Sequence, residues 1–234
     1  LMIITVESLI YDSQLKHIGL NFIKWLDEGY WTPHGCVYDV GPTTSMAIYR
    51  IKKGVDISIS GGDDELSNGN GSLMRILPVG LYYWNRSTSE IISLAHKISS
   101  ITHKHPRSLI SCGIYCLMVS FLLKGIPPLD AYHETISVAK NEYESNNPFA
   151  NELPHFKRIL SGELLSLKED DIKSSGYVIH TLEASLWCFL NSSSYKEAVL
   201  KAVNLGDDAD TTATVTGGLA GVCYGYDSVP EDWR

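Results

Sequence analysis

Apolar side chains recur every three to four positions along most of this sequence, and capping residues repeatedly punctuate the pattern. That combination restricts the chain to helices packed on helices, because a 3.6-residue period places such side chains on one helical face and scatters them on a strand. Residues 2–11 put Ile3, Val6, Leu9 and Ile10 on one face. Asp12 and Ser13 stand where a cap would open a second helix, which carries Leu15, Ile18, Phe22, Trp25 and Leu26 and stops at Gly29. Thr43 stands where it would cap a third, with Met46, Ile48, Tyr49 and Ile51 inside and Gly54 as its stop. Ser87 and Glu90 have capping-box spacing and predict a helix to about Ser100. Pro106 opens an apolar helix ending at Gly125, and Pro127 and Pro128 open another to about Tyr143. Helices are also expected over about 177–190, from Ser194 to about 204, and over about 210–224. Only residues 55–60 alternate as a strand would. The expectation is an all-α fold of roughly ten helices in one domain spanning residues 1–234.

At ~150 residues per domain, 234 residues make one large domain or two small ones, and no Pro- or Ser-rich linker divides the chain. Nineteen basic against 27 acidic residues leave a net charge of −8, which argues against nucleic acid as a partner. The most apolar stretch, residues 109–123, falls short of the ~20 residues of a membrane span and reads as a buried helix, so no membrane partner is expected. Cys36, Cys112, Cys116, Cys188 and Cys223 form no C-x-x-C pair and read as small buried hydrophobes in a reducing, cytoplasmic setting. The sequence opens on Leu1 inside a periodic apolar segment, so the expectation is that it begins partway into its first helix.

Four places carry candidate chemistry. Asp207-Asp208-Ala209-Asp210-Thr211-Thr212 concentrates carboxylates and hydroxyls ahead of an apolar helix. Hard divalent cations prefer such oxygens, and a bound cation relieves carboxylate repulsion. The same residues also suit a helix N-terminus as ordinary caps, so both readings stand. Asn68-Gly69-Asn70-Gly71-Ser72 leads a Gly-rich loop into Leu73-Met74-Arg75 and can form an anion cradle or a capped flexible loop, with Arg75 reaching a phosphate or, as the plainer reading, making a structural ion pair. His103, in Thr102-His103-Lys104-His105-Pro106, is a ligand contact or a base near pH 7, or a plain loop histidine. Asp39, before Thr43 and Thr44, is by default a capping-region carboxylate.

Together these segments resemble the ADP-ribosylglycohydrolase family, the relatives of the dinitrogenase reductase-activating glycohydrolase. The resemblance runs in order through Val6-Glu7-Ser8-Leu9-Ile10, Tyr38-Asp39-Val40-Gly41, Asn70-Gly71-Ser72-Leu73-Met74-Arg75 and Thr102-His103. It continues through Thr181-Leu182-Glu183-Ala184 to Asn204-Leu205-Gly206 and Asp208-Ala209-Asp210-Thr211-Thr212, with Gly217, Leu219-Ala220-Gly221 and Tyr224-Gly225 behind.

The resemblance implies an all-α enzyme that hydrolyses the glycosidic bond between ADP-ribose and a protein side chain or small leaving group, using two Mg²⁺ ions in a central cleft, with Mn²⁺ as a substitute. It makes ADP-ribose, or an ADP-ribosylated protein or small molecule, the partner. By the same resemblance, Asp208 and Asp210 are catalytic and, with Thr211, metal ligands. Asn70, Gly71 and Ser72 line the diphosphate, His103 lies near the ribose or phosphates, and Asp39 faces the leaving group. Two departures are visible. Asp207 stands where the family usually has glycine, and the family's Thr-Asp-Asp string is expected upstream of Leu1. The second reading is a non-catalytic member that binds ADP-ribose or a nucleotide, or serves structurally as related lens crystallins do.

Overall fold

The structure is a computed structural model that describes residues 1–12, 14–145 and 148–234. Its α-helices are α1 (Met2–Tyr11), α2 (Leu15–Glu28), α3 (Pro42–Lys52), α4 (Leu77–Tyr82), α5 (Thr88–Ser99) and α6 (Pro106–Leu123). They continue as α7 (Pro128–Tyr143), α8 (Phe149–Glu152), α9 (Lys157–Leu160), α10 (Val178–Leu190), α11 (Tyr195–Asn204) and α12 (Ala209–Tyr224). Among the described residues there is no strand, and β-type pairing is limited to two isolated bridges.

The apolar helix α6 is the axis of the molecule. Every residue from Ser108 to Leu122 is buried, as expected of a helix that is apolar on all sides. By length and composition it could cross a membrane, but 83% of it is covered by the rest of the protein. Helices α4, α5, α7, α10 and α12 pack around it. Close approach depends on small residues. A side chain at Gly113 would strike the Tyr143 hydroxyl on α7, and one at Gly218 would strike the Tyr115 hydroxyl, which donates to Val215 O at 2.9 Å.

Several caps match the sequence. Ser87 and Glu90 form the reciprocal capping box of α5, and Ser194 caps α11. Gly29 closes α2 at φ 64°, a left-handed conformation that glycine adopts without penalty. Others differ. The N-cap of α2 is Gln14, Asp12 instead terminates α1, and Ser13 lies outside the described residues. Gly41 caps α3 and Pro42 takes its first position, which suits a residue with fixed φ and no N–H, so Thr43 falls inside the first turn. The expected strand at 55–60 is a 3₁₀ turn, Ile57–Ile59. Asp56 Oδ1 accepts from the Ser58 N–H (2.8 Å) and hydroxyl (2.6 Å), and this local pairing bends the chain before a ladder can form.

Between α7 and α10 the chain makes short helical turns that the sequence pattern did not announce. Long-range contacts hold them: Arg107 Nε to Glu152 (2.6 Å), Arg158 Nε to buried Glu183 (3.1 Å), and the Tyr132 hydroxyl to Ile159 O (2.6 Å). Cys112, Cys116 and Cys188 are buried as expected, whereas Cys36 is exposed, because it sits in the loop between α2 and α3.

Candidate functional site

Three loops meet where α3, α6, α10 and α12 begin. The Gly-rich loop ahead of α4 is wedged between the other two. On one side Gly61 N donates to Ser100 O (3.0 Å), Gly62 N to Thr102 O (3.2 Å), and Lys104 N back to Gly62 O (2.7 Å). A side chain at Gly61 would strike Ser100 O, so this glycine is needed for the close approach. On the other side Asn70 N donates to Gly176 O (3.0 Å) and Val178 N to Asn68 O (3.1 Å). The two isolated bridges, Gly62 with His103 and Gly69 with Tyr177, record the same lacing.

The acidic turn joins α11 to α12. Gly206 (φ 75°) and Asp207 (φ 52°) both take the left-handed conformation, reversing the chain so that Asp208 arrives at the N-cap of α12. The Asp208 side chain makes no capping hydrogen bond. Its Oδ2 instead accepts from Asn70 Nδ2 at 2.6 Å, across 138 residues of sequence. The same Nδ2 donates to Thr181 Oγ1 at 2.9 Å, which fixes the amide. Among the described residues, no hydrogen bond or ion pair engages the Asp210 carboxylate. The side-chain cap reading therefore fails for Asp208, whose carboxylate is held by Asn70 instead.

His103 is 3% exposed. Its Nδ1 lies 2.8 Å from Thr102 Oγ1, which accepts from Arg75 Nη2 at 2.7 Å. Burial, then the Arg75 charge, push the His103 pKa down to about 3, so the ring is neutral near pH 7 and only a weak proton acceptor. Arg75 is itself 1% exposed, stacks on Phe22 at 4.9 Å and bonds Ile98 O (3.2 Å) and Ser99 O (3.4 Å). The expected ion pair is absent: among the described residues no carboxylate pairs with it, its bonds run from Nη2 alone, and Nε and Nη1 are buried without a hydrogen-bond partner.

These groups line a cleft of about 740 Å³, within the ~300–1,000 Å³ of small-molecule sites. Its walls carry Asp39, Asn70, Gly71, Arg75, His103, Asp208, Asp210 and Thr211, all singled out in the sequence, in one cavity. Ser72 does not line it. It is fully buried, and its Oγ accepts from the Cys112 thiol at 3.5 Å. Asn70 reaches the site chiefly as a clamp on Asp208. Asp39 is exposed at the mouth, where its Oδ1 accepts from Val40 N (2.8 Å). Sequence reasoning missed Trp25, Thr44, Met74 and Thr214 as wall residues. The apolar role assigned to Trp25 gave no signal of a cleft.

Asp208, Asp210 and Thr211 offer two carboxylates and a hydroxyl from one turn on the cleft wall, a donor set suited to a hard divalent cation. Leu1, at the start of α1, lies on the same wall. A second cluster, Glu65, His105 and Glu152, brings three possible ligand atoms within 4.8 Å of one another. It fits a cation poorly. Arg107 occupies it, paired with Glu65 at 3.1 Å and Glu152 at 2.6 Å. His105 Nδ1 accepts from the Arg107 N–H at 3.2 Å, and its Nε2 lies 3.7 Å from Glu65.

The family model for ADP-ribosylglycohydrolase matches residues 1–234. The chain is 32% identical over 213 residues to an ADP-ribosylarginine hydrolase of Serratia proteamaculans, covering 90% of this chain and 54% of that protein. It is 31% identical over 198 residues to the ADP-ribosyl-[dinitrogen reductase] glycohydrolase of Rhodospirillum rubrum, covering 83% and 58%. A solved structure described as an ADP-ribosylglycohydrolase-related protein complex superposes with a TM-score of 0.77 at 27% identity, covering 99% of this chain and 72% of the other. The chain thus spans little more than half the length of these curated relatives.

Proposed function

Because the chain belongs to the ADP-ribosylglycohydrolase family, we propose that its cleft binds ADP-ribose joined to a protein side chain or small leaving group and takes part in hydrolysing the glycosidic bond. The observation that carries this reading is Asp208: it stands at a helix N-cap without capping the helix, and Asn70 holds its carboxylate at the cleft wall. The relatives named as ADP-ribosylarginine hydrolases support an arginine-linked substrate.

Asp208, Asp210 and Thr211 are the residues that would hold Mg²⁺ or Mn²⁺. Such an ion, when bound, would supply Lewis-acid charge able to polarise hydroxyl oxygens and lower the pKa of a water. Asn70 orients Asp208, leaving its second oxygen free to face the cleft. Gly71, without a side chain, lets a ligand approach the backbone beside His103. Asp39, at the mouth, stands where a cationic guanidinium leaving group would depart. The diphosphate is then met by backbone N–H groups of the Gly-rich loop and by His103.

Calorimetry with ADP-ribose, and release of ADP-ribose from an ADP-ribosylarginine peptide, test the reading with and without Mg²⁺. Expected are Mg²⁺-dependent binding and turnover, both lost in Asp208→Ala and Asp210→Ala variants that still fold. Metal-independent binding without turnover identifies a non-catalytic member. Absence of any ADP-ribose binding overturns the proposal.

A further inference from the structure

Thr102 is fully buried, and a buried hydroxyl proton requires an acceptor. Among the described residues, Thr102 Oγ1 has two partners: Arg75 Nη2 at 2.7 Å and His103 Nδ1 at 2.8 Å. A guanidinium can only donate, so it takes an oxygen lone pair and offers no acceptor. The remaining partner for the Thr102 proton is His103 Nδ1. If Nδ1 carried a hydrogen, the hydroxyl would receive two donors and its own proton would be stranded in the interior.

We infer that Arg75 and Thr102 are positioning residues that lock His103 in the tautomer with hydrogen on Nε2, so that the ring presents a permanent hydrogen-bond donor to the cleft. The geometry fits this assignment. His103 lines the cleft, and its Nε2 has no partner among the described residues. The Nε2 edge faces the Gly-rich loop: a Cβ on Gly71 would lie 3.2 Å from Nε2 and 2.9 Å from Cε1, and one on Gly69 would lie 3.9 Å from Nε2. The ring is clamped from behind as well, because Ser99 Oγ donates to His103 O (3.0 Å) and His103 N donates to Ser99 O (2.9 Å). Arg75 also lines the cleft, and it reaches His103 through Thr102. An uncharged, fixed donor of this kind matches an oxygen acceptor such as a phosphate oxygen or ribose hydroxyl. The assignment rests on the proposed ADP-ribose site only for the identity of that acceptor.

Long-range ¹H–¹⁵N NMR of the imidazole nitrogens in the ligand-free protein tests the tautomer directly. The expected spectrum shows an unprotonated Nδ1 and a protonated Nε2 for His103, unchanged between about pH 5 and pH 8. Thr102→Ser keeps that spectrum, and Thr102→Val mixes the two tautomers. Affinity for ADP-ribose falls roughly three- to tenfold in Thr102→Val, the equivalent of one hydrogen bond, and returns to within about twofold in Thr102→Ser. A purely structural role for Thr102 would change stability and leave the tautomer alone. A protonated Nδ1 in the unmodified protein, or an unaltered tautomer in Thr102→Val, overturns the inference. Should Thr102→Val not fold, the spectra of the unmodified protein and of Thr102→Ser decide it. A protein that shows the expected tautomer but ignores ADP-ribose refutes the proposed function and leaves the lock standing.

Discussion

Asp207 holds φ 52°, next to Gly206 at 75°. Left-handed backbone costs an L-residue about 1–2 kcal/mol, less for Asp, whose short polar side chain tolerates it. Asp207→Gly is therefore expected to raise stability by about 0.5–1 kcal/mol, read from the urea midpoint; a loss of stability would refute strain at this turn. Gly71 faces the opposite constraint. A methyl group there would sit 2.9 Å from His103 Cε1, and His103 is clamped on its other side. Gly71→Ala should cost about 1–3 kcal/mol by overpacking and also weaken ADP-ribose binding. Titrating ADP-ribose into this variant, with its melting temperature measured in parallel, separates the two effects.

Among the elements, those delimited by local chemistry were legible and those delimited by distant contacts were not. The capping box of α5 is complete in four residues, and its reciprocal bonds form as the spacing implies. Ser87→Ala should cost about 1 kcal/mol, and adding Glu90→Ala should cost less than a second independent loss, because one motif holds both bonds. A double-mutant cycle by denaturant unfolding checks this. The strand expected at 55–60 failed because Asp56 and Ser58 pair locally, a competition that alternation alone does not reveal. The turns between α7 and α10 escaped notice for the converse reason: Arg107, Glu183 and Tyr132 hold them from outside the segment. The α6–α7 contact shows how tightly such packing is set. Gly113→Ala should lower stability by at least about 2 kcal/mol, since the added methyl would meet the Tyr143 hydroxyl. A melting temperature within a degree or so of the unmodified protein would contradict that packing.

At the scale of the whole molecule, two buried histidines link folding to pH. Burial pushes the His96 pKa down to about 4, and burial with the Arg75 charge takes His103 to about 3. Below the ordinary histidine pKa of about 6.5 the unfolded chain takes up protons that the folded chain refuses. Their full stabilising effect is present above that pH and is lost as pH falls toward the folded values. Between about pH 6.5 and pH 5 each histidine should remove on the order of 2 kcal/mol. Urea unfolding at the two pH values tests this, and His96→Asn should roughly halve the slope. Equal stability at both pH values would mean that neither ring is buried as described.

The sequence by itself determined the all-α architecture, the bounds of most long helices and the family. It also supplied nearly every polar group of the cleft, because periodicity, caps and ordered motifs are local properties of the chain. Only the tertiary structure decided what those groups do. Asn70 and Asp208 read separately as phosphate loop and metal ligand; folding joins them at 2.6 Å and makes the first a clamp on the second. Ser72 read as a cleft residue, and helical geometry turned it onto Cys112. Arg75 and His103 read as an ion-pair residue and a possible base. Burial removed the carboxylate from one and the charge from the other, leaving them joined through Thr102. Such roles depend on desolvation and on hydrogen bonds between residues far apart in the chain, quantities that exist only once the helices have packed.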